Sequence, residues 1–165
     1  MVANPLSVMR ISNHNQGELS NIFGMTRNGG TRPHQGWDLA APVGATVYAV
    51  RNGAVVDICE TPAYGLQLLL QISATDGPKT SSAESDVFAF YAHLSETLVD
   101  VGAQVVVGAP IARSGNSGNV GALPPHLHFE IRTRASVPPF SGLTYRVDPG
   151  QVLGYEHLAC RDSHA

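Results

Sequence analysis

The stretch PPHLHFEIR, residues 124–132, carries two histidines separated by a single leucine. On a helix, residues i and i+2 point to different sides, whereas on a strand alternate side chains share one face. Apolar and polar residues alternate here, with Leu127, Phe129 and Ile131 on one side and His126, His128 and Glu130 on the other. The two prolines stand at the start, where a missing N–H does least harm to strand pairing. The stretch therefore predicts a strand with a core face and a polar face that could carry chemistry.

Length and composition predict a single globular domain. A chain of 165 residues can bury a substantial core without help from disulfides. Its 17 glycines and 11 prolines are spread along the chain, and 43% of the residues are hydrophobic, which is typical of a turn-rich globular protein. The formal net charge of −3 leaves no basic surface for a phosphate backbone, so we expect no nucleic-acid partner.

Neither a targeting segment nor a cysteine motif stands out. The first twenty residues lack the charged and apolar regions of a secretory signal, and no apolar run approaches transmembrane length. We therefore expect a soluble protein with no membrane partner. Cys59 and Cys160 are too far apart for a CxxC motif, and they are compatible with one disulfide or with two thiols.

Short apolar runs, rich in valine and isoleucine and bounded by glycine or proline, dominate the chain. No stretch of ten residues keeps the apolar period of a helix. The sequence therefore predicts a mostly β domain, built as an antiparallel sandwich or an open barrel-like sheet. The predicted strands are 46–50, 53–59, 66–72, 87–93, 110–114 and 126–134.

Two polar or glycine-rich segments interrupt this pattern. Residues 73–86, SATDGPKTSSAESD, lie between two apolar runs and predict a long exposed hairpin loop. Residues 114–125, SGNSGNVGALPP, lead directly into the paired histidines. We divide the chain into an N-terminal extension at 1–20, a central domain at 21–150 and a C-terminal tail at 151–165, and we expect both ends to be peripheral.

Two further elements carry histidines next to turns. In HQGWD, His34 and Asp38 are four residues apart, and this even offset would place both on one face of a strand. Gly36 between them would let the backbone bend or let a ligand approach closely. In FYAHL, His93 lies at the end of an alternating strand. We expect the histidines of the terminal regions to lie on the surface: His14, His157 and His164.

Four histidines and one aspartate thus come from three separated segments. Each of them alone is compatible with an ordinary hydrogen-bonded residue. Together they match catalytic zinc, which takes imidazole and carboxylate ligands and uses three protein ligands with one open position. Two histidines and one carboxylate satisfy this count and leave two histidines for proton transfer. These considerations do not decide which histidine of the HxH pair would bind the metal.

The ordered set of motifs resembles the lysostaphin-type zinc endopeptidases of peptidoglycan, also called LytM-type domains. The resemblance runs from FGMTR through HQGWDLAAPVGATVYAVRNGAVV, FYAHLSETLVDVGAQVVVGAPIARSGNSG and PPHLHFEIR to RVDP. It implies a single domain of antiparallel sheets that form an open groove, of the duplicated-hybrid-motif kind. It also implies one zinc ion per chain, bound by His34, Asp38 and His128, with His93 and His126 as catalytic residues that act on the metal-bound water and on the developing oxyanion.

The resemblance further implies the reaction and the partners. The expected reaction is hydrolysis of peptide crosslinks in bacterial peptidoglycan by attack of a zinc-bound water on the scissile carbonyl. The expected substrate is therefore the peptidoglycan stem peptide, and the expected state is a monomer. The segments 73–86 and VGALPP depart from the family pattern, and we expect them to alter substrate preference because such loops wall the groove.

The expected site of action is the periplasm or the cell wall. Without a leader in this sequence, the protein would reach it after removal of a leader or through a secretion system that injects wall-degrading toxins. An injected antibacterial effector would have an immunity or inhibitor protein as a partner.

Two other functions are compatible with related motifs. Family members that have lost metal ligands serve as binding modules that activate other wall hydrolases, but all five positions are filled here. Histidine phosphocarrier domains share a related β fold and use facing histidines without metal, whereas Asp38 and the HxxxD spacing favour a metal. Metal analysis of the purified protein would separate these alternatives.

Overall fold

The computed structural model describes residues 1–72 and 86–154, and it confirms a mostly β fold with antiparallel pairing. The strands are β1 Gly24–Arg27, β2 Arg32–His34, β3 Trp37–Ala40, β4 Thr46–Tyr48, β5 Gly53–Thr61, β6 Gly65–Ile72, β7 Val87–Thr97, β8 Gln104–Val105, β9 Pro110–Ser114, β10 His126–Arg132 and β11 Arg146–Val147. Short 3-10 helices occupy Glu18–Asn21 and Asn28–Gly30, and the helix α1 spans Pro149–Leu153. No described helix is long and apolar enough to cross a membrane.

The strand that carries the paired histidines lies inside the main sheet. Strands β1 and β2 form a small sheet of their own, and the remaining described strands join one large sheet in which β11, β10, β7, β6, β5 and β8 follow one another. Strand β3 also pairs with β10, while β9 pairs with both β7 and β4. As a result β10 has a neighbour on each side, and His128 lies opposite Asp38 on β3 and Ala92 on β7.

Burial on both faces of β10 fixes its position. Leu127, Phe129 and Ile131 are fully buried in the main core, as their alternation predicts. Burying an apolar side chain of this size contributes about 1.5–3 kcal/mol. His126, His128 and Glu130 point the other way and are buried as well. The polar face predicted for this strand is therefore an interior surface, and its side chains are held by a well-packed core beneath them.

All six predicted strands occur; the strand at 110–114 has the predicted ends, and the other five have shifted ends. Strand β7 continues past its predicted end at residue 93 to Thr97, because its last residues pair with β9. The sequence analysis did not predict β1, β2, β3, β8 and β11, which have two to four residues each and are too short to show a period of two. The predicted loop at 73–86 lies outside the described residues except for Asp86.

The N-terminal segment belongs to the core, so the prediction that residues 1–20 are peripheral is wrong. Leu6 and Ile11 are each 3% exposed and pack in the main hydrophobic cluster. The backbone N–H of Ser12 donates to the carbonyl oxygen of Asp38 at 2.8 Å, and that of Ala40 donates to Arg10 at 2.8 Å. The segment therefore lies along the edge of β3 that faces away from β10.

The HQGWD motif does not lie on one strand, contrary to the sequence prediction. His34 ends β2 in the small sheet, and Asp38 lies within β3 in the large sheet. Between them, the backbone passes so close to β10 that a Cβ atom on Gly36 would lie 2.1 Å from the carbonyl oxygen of Phe129. The close approach that Gly36 permits is thus one between two backbone segments of the protein.

We expect Gly36→Ala to lower the free energy of unfolding by about 1–3 kcal/mol, because the added methyl group forces β3 away from β10. Denaturant unfolding of the two proteins measures the difference. The neighbouring Gln35→Ala removes a partly exposed side chain and should change stability by no more than about 0.5 kcal/mol. Equal stability of Gly36→Ala and the wild type would contradict the close backbone contact.

Candidate metal centre

The five predicted site residues converge on one cavity of about 430 Å³, and Asp38 lies at their centre. His34 Nε2 is 3.2 Å from Asp38 Oδ2, and His128 Nδ1 is 2.7 Å from Asp38 Oδ1. His126 Nε2 is farther away, at 3.8 Å from Oδ1. The ring of His93 lies 5.1 Å from that of His126 and 6.0 Å from that of His128, between ring centroids. All five side chains are buried.

Backbone carbonyls define the proton positions of three of these histidines. Because a carbonyl oxygen can only accept, the ring nitrogen that faces it must carry the hydrogen, which leaves a lone pair on Nε2 of a neutral ring. In each case Nδ1 donates to such an oxygen: His34 to Ile22 at 3.1 Å, His93 to Ser117 at 2.7 Å, and His126 to Pro124 at 2.9 Å.

His128 has the opposite arrangement, with Nδ1 turned to Asp38 and Nε2 turned to Glu130 Oε1 at 2.9 Å. Although burial opposes a charged ring, the hydrogen bonds to these two carboxylates raise the pKa of His128 to about 9. Arg132 Nε and Arg146 Nε donate to Glu130 Oε2 at 2.7 and 2.8 Å. Glu130 is thereby held in place and fixes the orientation of the His128 ring.

Tyr64 adds a further support to this carboxylate. Its hydroxyl donates to Glu130 Oε1 at 3.1 Å, and its ring stacks on His128 with the centroids 5.6 Å apart. The sequence analysis placed Glu130 on the polar face of the strand but assigned no role to it, to the two arginines or to Tyr64. Arg146 lies in the RVDP segment of the family resemblance, which was the one signal for it.

His34, Asp38 and His128 fit a zinc ion. One ligand atom from each residue lies within 4.8 Å of the other two. When zinc is tetrahedral and its bonds are about 2.0–2.1 Å long, its ligand atoms lie about 3.3 Å apart. The distances from the Asp38 oxygens to His34 Nε2 and His128 Nδ1, 3.2 and 2.7 Å, are close to this value. In addition, the lone pair on His34 Nε2 faces a carboxylate oxygen, and two such acceptors are stabilised by a cation between them.

The carboxylate of Asp38 is ionised. Burial alone would raise its pKa, but the electrostatic interaction with the nearby His34 ring and the hydrogen bonds from His128 and His14 hold the pKa of Asp38 well below its usual range. Arg27 Nη2 also donates to Asp38 Oδ2 at 2.8 Å. Arg27 lies in the quoted FGMTR motif, yet a spacing of eleven residues gave no reason to pair it with Asp38.

An irregularity in β7 brings His93 into the cavity. Ala89, Tyr91 and Leu94 all lie in the main core, so the strict alternation of β7 is broken between Tyr91 and Leu94. The pairing register with β6 shifts at this point, and His93 has a φ of 58°. Histidine adopts this left-handed conformation more readily than most residues do. Strict alternation would have placed His93 with Ala89 and Tyr91 on the core side.

The glycine-rich segment 114–125, which leads into the paired histidines, also positions His93. The carbonyl of Ser117 accepts from His93 Nδ1, while the Ser117 hydroxyl donates to the carbonyl of Leu94 at 2.7 Å. A Cβ atom on Gly65 would lie 2.2 Å from that hydroxyl oxygen, so this packing requires a glycine. Farther along the segment, Val120 and Leu123 line the cavity.

His14 also lies in the cavity, so the prediction of a surface position is wrong. Its side chain is buried, and Nε2 is 3.2 Å from Asp38 Oδ2. Nδ1 is 2.6 Å from Ser12 Oγ, and the ring lies 4.5 Å from that of His126. His14, Asp38 and His126 therefore form a second group of close metal-binding atoms. The sequence before FGMTR has no marked periodicity, and it gave no signal for His14.

Three residues named in the sequence analysis lie outside the described residues: His157, Cys160 and His164. Cys59 is a free thiol, and Gln67 Nε2 donates to its sulfur at 2.8 Å.

The sequence model of peptidase family M23 matches residues 32–139. The peptidoglycan DD-endopeptidase ShyA of Vibrio cholerae is 36% identical over 102 residues, which are 62% of this chain and 21% of ShyA. The chain thus spans about a fifth of the length of the curated relatives that it matches first.

Solved structures agree with the fold. The catalytic domain of lysostaphin from Staphylococcus simulans superposes with a TM-score of 0.59 at 28% identity, covering 81% of this chain and 87% of that domain. A zinc-containing peptidase from Vibrio cholerae superposes with a TM-score of 0.54 at 25% identity, covering 93% of this chain and 36% of that protein.

Proposed function

Because the chain belongs to peptidase family M23, we propose that it is a zinc endopeptidase that hydrolyses peptide crosslinks of bacterial peptidoglycan. The observation that carries this proposal is the group His34, Asp38 and His128, whose ligand atoms lie within 4.8 Å of one another. His93 and His126 line the same cavity beside this group. The similarity to ShyA, a peptidoglycan DD-endopeptidase, supports the class of substrate.

In the proposed site, His34 through Nε2, Asp38 through its carboxylate and His128 through Nδ1 hold one zinc ion. When bound, zinc supplies a Lewis acid for the scissile carbonyl and lowers the pKa of a water molecule. Glu130 accepts the Nε2–H of His128, so that Nδ1 is directed at Asp38. Arg27 offsets part of the charge of the Asp38 carboxylate. The similarity to a zinc-containing peptidase supports zinc as the metal.

His93 and His126 are the proposed catalytic residues. Burial lowers the pKa of both rings, that of His93 to about 4, so both are neutral at pH 7. Each keeps a lone pair on Nε2, because Nδ1 donates to a backbone carbonyl. One ring can therefore accept a proton during attack, and a protonated ring can stabilise the oxyanion or return the proton to the leaving amine. We assign the roles of proton acceptor and of oxyanion stabiliser or proton donor to His93 and His126 jointly.

The substrate within peptidoglycan is proposed to be the stem peptide, at the crosslink between D-alanine and diaminopimelate and not at a pentaglycine bridge. The DD-endopeptidase activity in the name of ShyA supports this choice. Action on the wall places the protein in the periplasm or the cell wall, where we expect it to work as a monomer. The hypothesis of an injected antibacterial effector with an immunity protein rests on the sequence alone.

The two alternative functions fit the site less well. A binding module that activates other hydrolases needs no complete set of ligands, yet here all five residues are present and converge. A phosphocarrier must accept a phosphoryl group on a histidine. The buried carboxylates of Asp38 and Glu130 beside His128 would repel the negative charge of that group.

Muropeptide analysis tests the proposed function. We expect the zinc-loaded protein to convert cross-linked dimers to monomers and to leave the glycan strands intact. Walls with direct D-alanyl–diaminopimelate crosslinks should be digested, whereas walls crosslinked through pentaglycine should not. Metal-free protein is the control, and the zinc content should be one ion per chain. An unchanged dimer fraction on several wall types, with zinc bound, would contradict the proposal.

A further inference from the structure

His14 is a buried histidine that the proposed mechanism does not use. It precedes the region that matches the family model, which begins at residue 32. Its segment is joined to β3 by backbone hydrogen bonds on both sides of Ile11, from Ser12 to Asp38 and from Ala40 to Arg10. The position of His14 beside Asp38 therefore depends on the backbone as well as on the side chains.

The hydroxyl of Ser12 defines the tautomer of His14. Within the described part of the chain, the one hydrogen bond of Ser12 Oγ is to His14 Nδ1, at 2.6 Å. A buried hydroxyl is stable when its hydrogen is donated, so Ser12 donates to Nδ1. The hydrogen of the neutral ring is then on Nε2, which faces Asp38 Oδ2 at 3.2 Å and donates to it. His34, His93 and His126 instead carry their hydrogen on Nδ1.

Asn21 ties this arrangement to Arg27. Its amide nitrogen donates to the carbonyls of Ser12 and His14, both at 2.8 Å, and its amide oxygen accepts from Arg27 Nη2 at 3.2 Å. Arg27 Nη2 also donates to Asp38 Oδ2. The same carboxylate oxygen thus receives N–H donors from His14 and Arg27, and both donors are held by one buried amide.

We propose that His14 is a positioning residue, and that the chain of hydrogen bonds Ser12–His14–Asp38 orients the carboxylate of Asp38 for metal binding. This inference rests on the metal centre of the proposed function. Residues that hydrogen-bond to a metal ligand without binding the metal themselves raise the affinity for the metal, because they fix the orientation of that ligand. It also means that His14, Asp38 and His126 do not form a second metal site, because a protonated Nε2 has no lone pair for a cation.

Zinc affinity of the purified full chain, measured by competition with a chelator, tests the proposal. His14→Phe keeps a ring of similar size and removes the N–H donor, so zinc binding should weaken by about 10- to 100-fold. His14→Gln keeps an N–H near the position of Nε2 and should restore most of the affinity. Asn13→Ala changes an exposed neighbour and should bind zinc like the wild type. Thermal unfolding of the metal-free proteins separates this effect from a loss of folding.

Ser12→Ala is a second variant that does not depend on how His14→Phe folds. It removes the hydroxyl that keeps the hydrogen of His14 on Nε2, and zinc affinity should fall by about 3- to 10-fold. At saturation with Co²⁺, the visible absorption spectrum of each variant should match that of the wild type, because His14 is not a ligand.

Three results would overturn the proposal. A folded His14→Phe or Ser12→Ala protein with the zinc affinity of the wild type would show that His14 does not position Asp38. A changed Co²⁺ spectrum in His14→Gln, with affinity as low as that of His14→Phe, would make His14 a ligand. Failure of the wild type itself to bind zinc would remove the metal centre, and with it the role of His14.

Discussion

Replacing His128 with alanine should abolish stoichiometric zinc binding and reduce hydrolysis to background. The substitution removes one of the three proposed ligands and leaves only His34 and Asp38. It also removes the ring that joins Asp38 to Glu130. Loss of a supporting residue around a metal typically weakens binding or activity by about 10- to 100-fold, and loss of a ligand should exceed that range. Zinc content after gel filtration and turnover of a cross-linked muropeptide measure the two effects.

Thr133→Ala is a matched control for this experiment. Thr133 is exposed and follows β10 directly, so its replacement should alter neither zinc content nor turnover. Because His128 is buried, circular dichroism and thermal unfolding of the metal-free protein must show that the variant folds. A folded His128→Ala protein that keeps its zinc and its activity would exclude His128 as a ligand.

Replacing His126 or His93 with alanine should leave zinc content unchanged and lower turnover by about 10²- to 10⁴-fold, the range for a positioned acid or base. Both rings present Nε2 to the cavity, but neither belongs to the group formed by His34, Asp38 and His128. His126 Nε2 lies 3.8 Å from the Asp38 carboxylate, compared with 2.7 Å for His128 Nδ1. Zinc content and steady-state rates of the single variants check this prediction.

The double variant of His93 and His126 gives a further check. If the two rings act as one proton-transfer unit, the double variant should lose little more activity than the worse single variant. Loss of zinc from His126→Ala together with full zinc in His128→Ala would show that the two histidines of HLH have the opposite assignment. The family resemblance would then fail at that position.

Much of the site could be predicted because its motifs are short and local. Alternation in HLHFEI shows from neighbouring residues alone that three side chains face the core and three face away, and the packing of Leu127, Phe129 and Ile131 in the main hydrophobic core matches it. The histidines and the aspartate that the motifs single out all line one cavity. Residue types were sufficient here, because nitrogen and carboxylate ligands are what zinc requires.

Contacts between distant segments could not be predicted in this way. Arg27 and His14 contact Asp38, but their distance from Asp38 along the sequence does not indicate that their side chains would point toward it. The placement of His34 and Asp38 on separate strands depends on Gly36 packing against the backbone of β10, a partner some ninety residues away in the chain.

Local sequence patterns specify the β class of the fold, the two faces of β10 and the residues that are able to bind a metal. These features follow from the period of two along a strand and from the chemistry of single side chains. Long-range packing gives His93 the left-handed conformation that turns it toward the cavity, and it holds Glu130 between Arg132 and Arg146. It also decided that the N-terminal segment places His14 beside Asp38. Such contacts depend on how strands pair and pack across the whole chain, so no local pattern of residues encodes them.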